Sequence, residues 1–74
     1  MVNREKAQTA LARLLLERIR RDTYPSATHM AMLEQTIPPD LVGEYLTLLL
    51  AKVADDRWPS IPMLRRIERI SAQL

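Results

Sequence analysis

The chain reads DTYPS at residues 22–26 and DRWPS at residues 56–60, so that the two stretches stand 34 positions apart. In both stretches a proline follows an aromatic residue, and proline disfavours helix at the residue before it. The serine then stands where its hydroxyl can accept the free amides of a new helix. Each stretch therefore predicts a corner between two helices. The residues with this structural role are Tyr24, Pro25, Ser26, Trp58, Pro59 and Ser60.

The aromatic residues of the two corners allow two interpretations. In the first, each ring packs into the junction between two helices, and Met30 or Leu64 lies where a hydrophobic staple places its partner. In the second, Tyr24 and Trp58 form a paired binding site. The first interpretation is favoured because proline, serine and the aromatic residue each have a mechanical use in a corner.

The chain contains an internal repeat of 34 residues. When residues 7–37 are aligned with residues 41–71, seven positions are identical. These positions, numbered in the first half, are Leu14, Leu15, Leu16, Asp22, Pro25, Ser26 and Glu34. The repeat predicts an all-α fold in which four helices, long, short, long and short, form two related helical hairpins.

Cap and proline positions predict where the four helices begin and end. Asn3 caps the first helix, which runs to about Asp22, and Ser26 caps the second, which ends near Thr36. The Pro38-Pro39 pair stops the second helix and opens the third, which continues to about residue 56. Ser60 caps the fourth. We expect one small helical domain over residues 1–74, with repeat units at about 3–37 and 39–72.

Composition excludes several classes of protein. The chain has 74 residues, a single glycine and no cysteine. This length excludes a multidomain enzyme, and the lack of cysteine excludes a disulfide-stabilised module and a zinc-cysteine domain. One glycine cannot form a phosphate-binding loop, and His29 has no second histidine or cysteine to share a metal. We therefore expect no enzymatic activity, no cofactor and no metal site.

Apolar residues cover unusually wide faces of helices one and three. A surface helix of a small protein needs a narrower apolar face, so part of this surface is expected to meet another chain. The sequence predicts a small non-catalytic protein–protein interaction module, such as an adaptor, an assembly subunit or a regulator. We expect it to form a homo-oligomer or to bind a protein partner. The predicted interface residues are Leu11, Leu15, Leu16, Ile19, Tyr45, Leu48 and Leu49.

Nucleic-acid binding is the main alternative function. The net charge is +2, and Arg65, Arg66 and Arg69 share one side of helix four, opposite a predicted apolar side of Leu64, Ile67, Ile70 and Leu74. Such an arginine face suits contacts with phosphates or guanine edges. Nine acidic residues weaken this attraction. A weaker third possibility is that the basic side of helix one binds a membrane surface.

The start of the chain and the acids near the corners complete the sequence predictions. Residues 1–6 lack the apolar segment of a signal peptide, and no apolar run approaches the length of a membrane span, so a cytoplasmic protein is expected. Asp22 and Asp56 occupy matching places in the repeat, which favours a structural role at the corners. Glu17 and Arg21 are spaced for an ion pair across one helical turn.

Overall fold

A computed structural model describes residues 3–55 and 60–74. In this part of the chain the regular secondary structure is entirely helical, as predicted. The four helices are α1 (Arg4–Arg21), α2 (Ala27–Thr36), α3 (Pro39–Ala54) and α4 (Ile61–Ser71). They contain 18, 10, 16 and 11 residues, which confirms the predicted order of long and short helices. The chain divides into two compact units, Met1–Pro39 and Asp40–Leu74.

Side-chain caps begin three of the helices, at the residues that the sequence predicts. The Oδ1 atom of Asn3 accepts a hydrogen bond of 2.8 Å from the backbone N–H of Lys6. The hydroxyl of Ser26 accepts from the backbone amides of Thr28 and His29, at 3.1 and 3.2 Å. The hydroxyl of Ser60 accepts from the amide of Met63, at 3.2 Å. These bonds satisfy amides that have no partner inside their helix.

Prolines set the boundary between α2 and α3. Ile37 ends α2 in an extended conformation, with φ −63° and ψ 126°, which is the conformation that a following proline favours. Pro39 is the first residue of α3. Its fixed φ suits that position, and its missing N–H would have no partner there. Asp40, in the first turn, lies at the positive end of the helix dipole.

In the first unit, α1 packs against α2. The side chains that these two helices bury are Ala12, Leu15, Leu16, Ile19, Met30 and Leu33. Pro25 is buried as well, and it stands at the position before the Ser26 cap. Tyr24, by contrast, is 63% exposed. The prediction that the Tyr24 ring packs into the helix junction is therefore wrong, and the residue of this corner that is buried is the neighbouring Pro25.

In the second unit, α3 buries Leu41, Val42, Tyr45, Leu46 and Leu49. The buried residues of α4 are Met63 and Ile70. Ile67 is half-buried, and Leu64 and Leu74 are exposed. The predicted apolar side of α4 is thus partly wrong: the helix is turned so that Met63, one residue before Leu64, is buried instead. Trp58 and Pro59 lie outside the described residues, and the predictions for them stay predictions.

Ion pairs form along α1 and at its end, and one of them gives Asp22 a structural role. The Nε atom of Arg18 donates to the Oδ2 atom of Asp22 at 3.2 Å, and the Asp22 amide bonds to the Arg18 carbonyl oxygen at 3.1 Å. Asp22 is the residue that caps the C-terminus of α1. Glu17 pairs with Arg20, at 3.6 Å, rather than with the predicted Arg21. Both spacings are allowed on a helix, since residues three and four apart are neighbours.

Candidate functional site

Exposed apolar side chains are the most distinctive surface feature of the described residues. Buried side chains in this part of the chain are apolar throughout, with no buried polar or charged residue. Large apolar side chains nevertheless remain on the surface of all four helices and beside them. They are Leu11, Leu14, Tyr24, Met32, Leu50, Ile61, Leu64 and Leu74. Single exposed apolar residues are ordinary on protein surfaces. The informative ones are exposed apolar residues that lie next to each other along one helix.

The first such case is on α1. Leu11 and Leu14 are 39% and 71% exposed, and Arg18 follows Leu14 by one turn. Residues at positions i, i+3 and i+7 lie along one side of a helix. We call Leu11, Leu14 and Arg18 the α1 strip. It lies on a different side of the helix from the buried side chains.

The beginning of α1 also buries very little. From Arg4 to Leu11, every residue is exposed except Thr9, which is half-buried. The first buried residue of the helix is Ala12. Helices of a few turns are marginal in water unless they pack against something. The Asn3 cap supports the first turn of this segment, and a partner packed along α1 would support it further.

The second case is on α4. Ile61 and Leu64 are 64% and 48% exposed, and Glu68, one turn after Leu64, is exposed as well. We call Ile61, Leu64 and Glu68 the α4 strip. Its residues have the same relative positions as those of the α1 strip, namely i, i+3 and i+7. The charged residue at the end of this strip is acidic, whereas that of the α1 strip is basic.

Most of the predicted interface residues are not on the surface. Leu15, Leu16, Ile19, Tyr45 and Leu49 are buried in the single chain. Leu48 is half-buried, and Leu11 is exposed. A buried side chain cannot also contact a partner unless the fold opens. Of the predicted interface residues, Leu11 is therefore accessible to a partner and Leu48 is partly accessible, and the interface itself stays a prediction.

Sequence reasoning missed Leu14, Ile61 and Leu64 as surface residues. A signal for Leu14 was present, because Arg18 and Arg21 follow it at four and seven residues, on the same side of α1. Charged residues at such positions indicate a side that faces water. No comparable signal marks Ile61, because it directly follows the Ser60 cap, where the helical pattern has only begun.

The arginines predicted to contact nucleic acid lie on α4. Arg65 and Arg69 are exposed, four residues apart, and Arg66 beside them is half-buried. Arg66 and Arg69 each already make a polar or charged interaction within the chain.

His29 lies in the first turn of α2 and is half-buried. Its Nδ1 atom is buried and has no hydrogen-bond partner among residues 3–55 and 60–74. Within those same ranges, no three His, Cys, Asp or Glu residues come together as a metal site would require.

Comparisons with known proteins find no relative: no protein-family model matches the chain, and no curated protein or solved structure matches it. In the described part of the chain, no helix combines the length and apolar character that crossing a bilayer requires.

Proposed function

We propose that this chain is a small, non-catalytic protein–protein interaction module that associates with copies of itself. The observation that carries the proposal is the α1 strip, where Leu14 is 71% exposed beside Leu11 on a helix whose first two turns bury almost nothing. An adjoining apolar surface with a charged rim is the usual composition of a protein interface.

The physical basis of the association is the burial of aliphatic side chains. Each square ångström of apolar surface removed from water contributes about 25 cal/mol. Part of that gain offsets the lost freedom of the two associating molecules. Contact along α1 would also hold the beginning of this helix, whose residues are exposed in the single chain. The charged residues at the rim would orient the partner rather than supply most of the affinity.

Sedimentation equilibrium of the purified chain tests this proposal with a pair of matched variants. The wild-type chain is expected to show a mass above 8.6 kDa that rises with concentration. Leu14→Gln removes an exposed apolar group and should reduce association while the single chain stays folded, which circular dichroism at low concentration checks. Leu74→Gln makes the same change at a residue that is 74% exposed and lies beyond α4. It should leave association intact.

Two results would count against self-association through the α1 strip. One is a folded wild-type chain whose mass stays at 8.6 kDa at every concentration. The other is an equal loss of association in both variants, because the effect would then be a general response to removing an exposed apolar group.

Nucleic-acid binding is the second candidate, and the exposure of Arg65 and Arg69 on one side of α4 favours it. A fluorescently labelled oligonucleotide should then bind at about 50 mM salt and be released near 200 mM, because phosphate contacts release counterions. Arg65→Gln should weaken this binding more than Arg13→Gln, an exposed arginine on α1. Equal effects of the two substitutions would indicate attraction by net charge alone.

A further inference from the structure

The two strips repeat one spacing with opposite charge. In each strip, two large aliphatic residues three positions apart are followed, four positions later, by an exposed charged residue. That residue is Arg18 in the α1 strip and Glu68 in the α4 strip. Two helix sides with matched spacing can pack along their length. When the two helices run in the same direction, the charged residues at the ends of the strips would face each other and attract.

We propose that the α1 strip of one copy packs in parallel against the α4 strip of a second copy, so that copies associate head to tail. This inference rests on the proposed self-association and specifies its partner surface. In the parallel direction, the facing pairs are Leu11 with Ile61, Leu14 with Leu64, and Arg18 with Glu68. In the opposite direction, Glu68 would move away from Arg18 toward the beginning of α1.

The ion pair of Arg18 with Asp22 is compatible with this contact. The Arg18 guanidinium donates to Asp22 through its Nε atom. The guanidinium group carries five N–H donors in a planar fork, so its terminal nitrogens can reach a second carboxylate. The Arg18 side chain is 58% exposed, which leaves it accessible to another molecule. Asp22 would hold the guanidinium in place for Glu68.

The proposed contact joins two different surfaces, so it is heterologous rather than isologous. A heterologous contact leaves one unused strip at each end of a pair of copies, and further copies can add until a ring closes. The weight-average mass should therefore continue to rise beyond two copies as the concentration increases. A symmetric pairing of α1 with α1 would stop at two copies.

Charge reversal at both ends of the contact tests this arrangement. The variants are Arg18→Glu, Glu68→Arg and the double variant, measured by sedimentation equilibrium beside the wild-type chain. Arg13→Glu, on another side of α1, controls for the change in net charge. We expect each single reversal to weaken association about tenfold or more, because it places like charges opposite each other. The Arg13→Glu variant should associate nearly as the wild type does.

The decisive sample is an equimolar mixture of the two single variants. In the mixture, the carboxylate introduced by Arg18→Glu in one chain faces the guanidinium introduced by Glu68→Arg in the other. The remaining contacts between the two variants are of the wild-type kind. Association should therefore return in the mixture and also in the double variant. Neither single variant alone should recover it.

Several outcomes would overturn the head-to-tail arrangement. Association that both single reversals leave unchanged would show that the strips are not the contact, although self-association itself would stand. Rescue in the double variant without rescue in the mixture would place the two strips together within one chain. Loss in Arg18→Glu alone, with no rescue in the mixture, would indicate pairing of α1 with α1. A folded wild-type chain that stays monomeric would instead refute the proposed function.

Circular dichroism of each variant separates loss of association from loss of folding. Arg18→Glu also removes the ion pair with Asp22. Loss of folding must therefore be checked in this variant above all. Leu64→Gln, which changes the α4 strip without changing its charge, provides a second test of the contact. If Arg18→Glu is unfolded, Leu64→Gln should still weaken association, and unchanged association in a folded Leu64→Gln would contradict the proposal.

Discussion

The two units of the chain begin their short helices with the same serine cap but bury different positions along their helices. Ser26 and Ser60 stand 34 positions apart in the sequence, and both cap a short helix. The equivalent positions along the helices differ in burial. Leu16 is buried and Leu50 exposed, whereas Leu11 is exposed and Tyr45 buried. Likewise, Met30 is buried in α2, and its counterpart Leu64 is exposed in α4.

This difference separates what local sequence determines from what packing determines. A cap acts over three or four residues, so a repeated serine gives a repeated helix start. Which side of a helix is buried depends on the elements that pack against it. The repeated leucines therefore do not have to keep the same environment. Two of the three exposed members of these pairs, Leu11 and Leu64, belong to the two strips, whereas the third, Leu50, belongs to neither.

The largest expected effect comes from the same substitution in the core of each unit. Leu33 in α2 and Leu49 in α3 are both fully buried. Leu33→Ala and Leu49→Ala should each lower the free energy of unfolding by about 2–5 kcal/mol, through lost burial and the cavity left behind. Urea unfolding followed by circular dichroism measures the change. If either alanine variant does not fold, the milder Leu→Met change at the same position should give a folded protein of nearly wild-type stability. An alanine variant with the stability of the wild type would contradict the assigned burial.

The capping serines should show a smaller and unequal effect. Ser26→Ala and Ser60→Ala should each cost about 1 kcal/mol. The loss should be greater at Ser26, which accepts from two amides where Ser60 accepts from one. Ser71→Ala is the control, since the Ser71 hydroxyl donates to the Glu68 carbonyl near the end of α4 and does not cap a helix start. Hydrogen exchange of the backbone amides would show whether Ser26→Ala weakens α2 and Ser60→Ala weakens α4. An equal loss of stability in all three variants would contradict the assigned caps.

Gly43→Ala should stabilise the second unit. Gly43 lies inside α3, and a Cβ atom added there would meet nothing within 4 Å. Alanine in a helix interior is favoured over glycine by about 0.5–1 kcal/mol, because glycine loses more backbone freedom on folding. The thermal midpoint of unfolding should therefore rise. A fall in the midpoint would mean that the site has less room than the structure shows.

The smallest expected effect concerns the ion pair at the end of α1. Arg18 and Asp22 are 58% and 30% exposed, and solvent screens exposed pairs strongly. A double-mutant cycle with Arg18→Gln and Asp22→Asn should give a coupling energy of a few tenths of a kcal/mol, which added salt reduces. It should be measured at low concentration, where self-association does not contribute. A coupling above about 1 kcal/mol would show that the pair is more protected from water than its exposure indicates.

The helices could be predicted from the sequence because their signals are local. Asn3, Ser26, Ser60 and the Pro38-Pro39 pair each act on their own immediate neighbours, and three predicted caps accept the expected amides. The structural role of Asp22 was predicted from its match with Asp56 instead, and its partner Arg18, one turn away, is known from the structure.

The interface could not be predicted in the same way. Leu15, Leu16 and Tyr45 belong to wide apolar helix faces. Hydrophobicity alone does not state whether the rest of the chain or a partner covers such a face. The structure buries all three. The prediction for Tyr24 was wrong for a related reason, because an aromatic residue beside a proline does not by itself state which of the two is buried, and here it is Pro25. What remains for a partner is the small set of aliphatic residues that the chain leaves exposed.

A dilution series followed by two-dimensional nuclear magnetic resonance of the backbone amides tests the central claim most directly. On dilution of the wild-type chain, the amide signals around Leu11, Leu14 and Arg18 should shift together with those around Leu64 and Glu68. Signals in the core should stay constant. Signals that do not change at any concentration, or that change only around another exposed residue such as Leu50, would contradict the account.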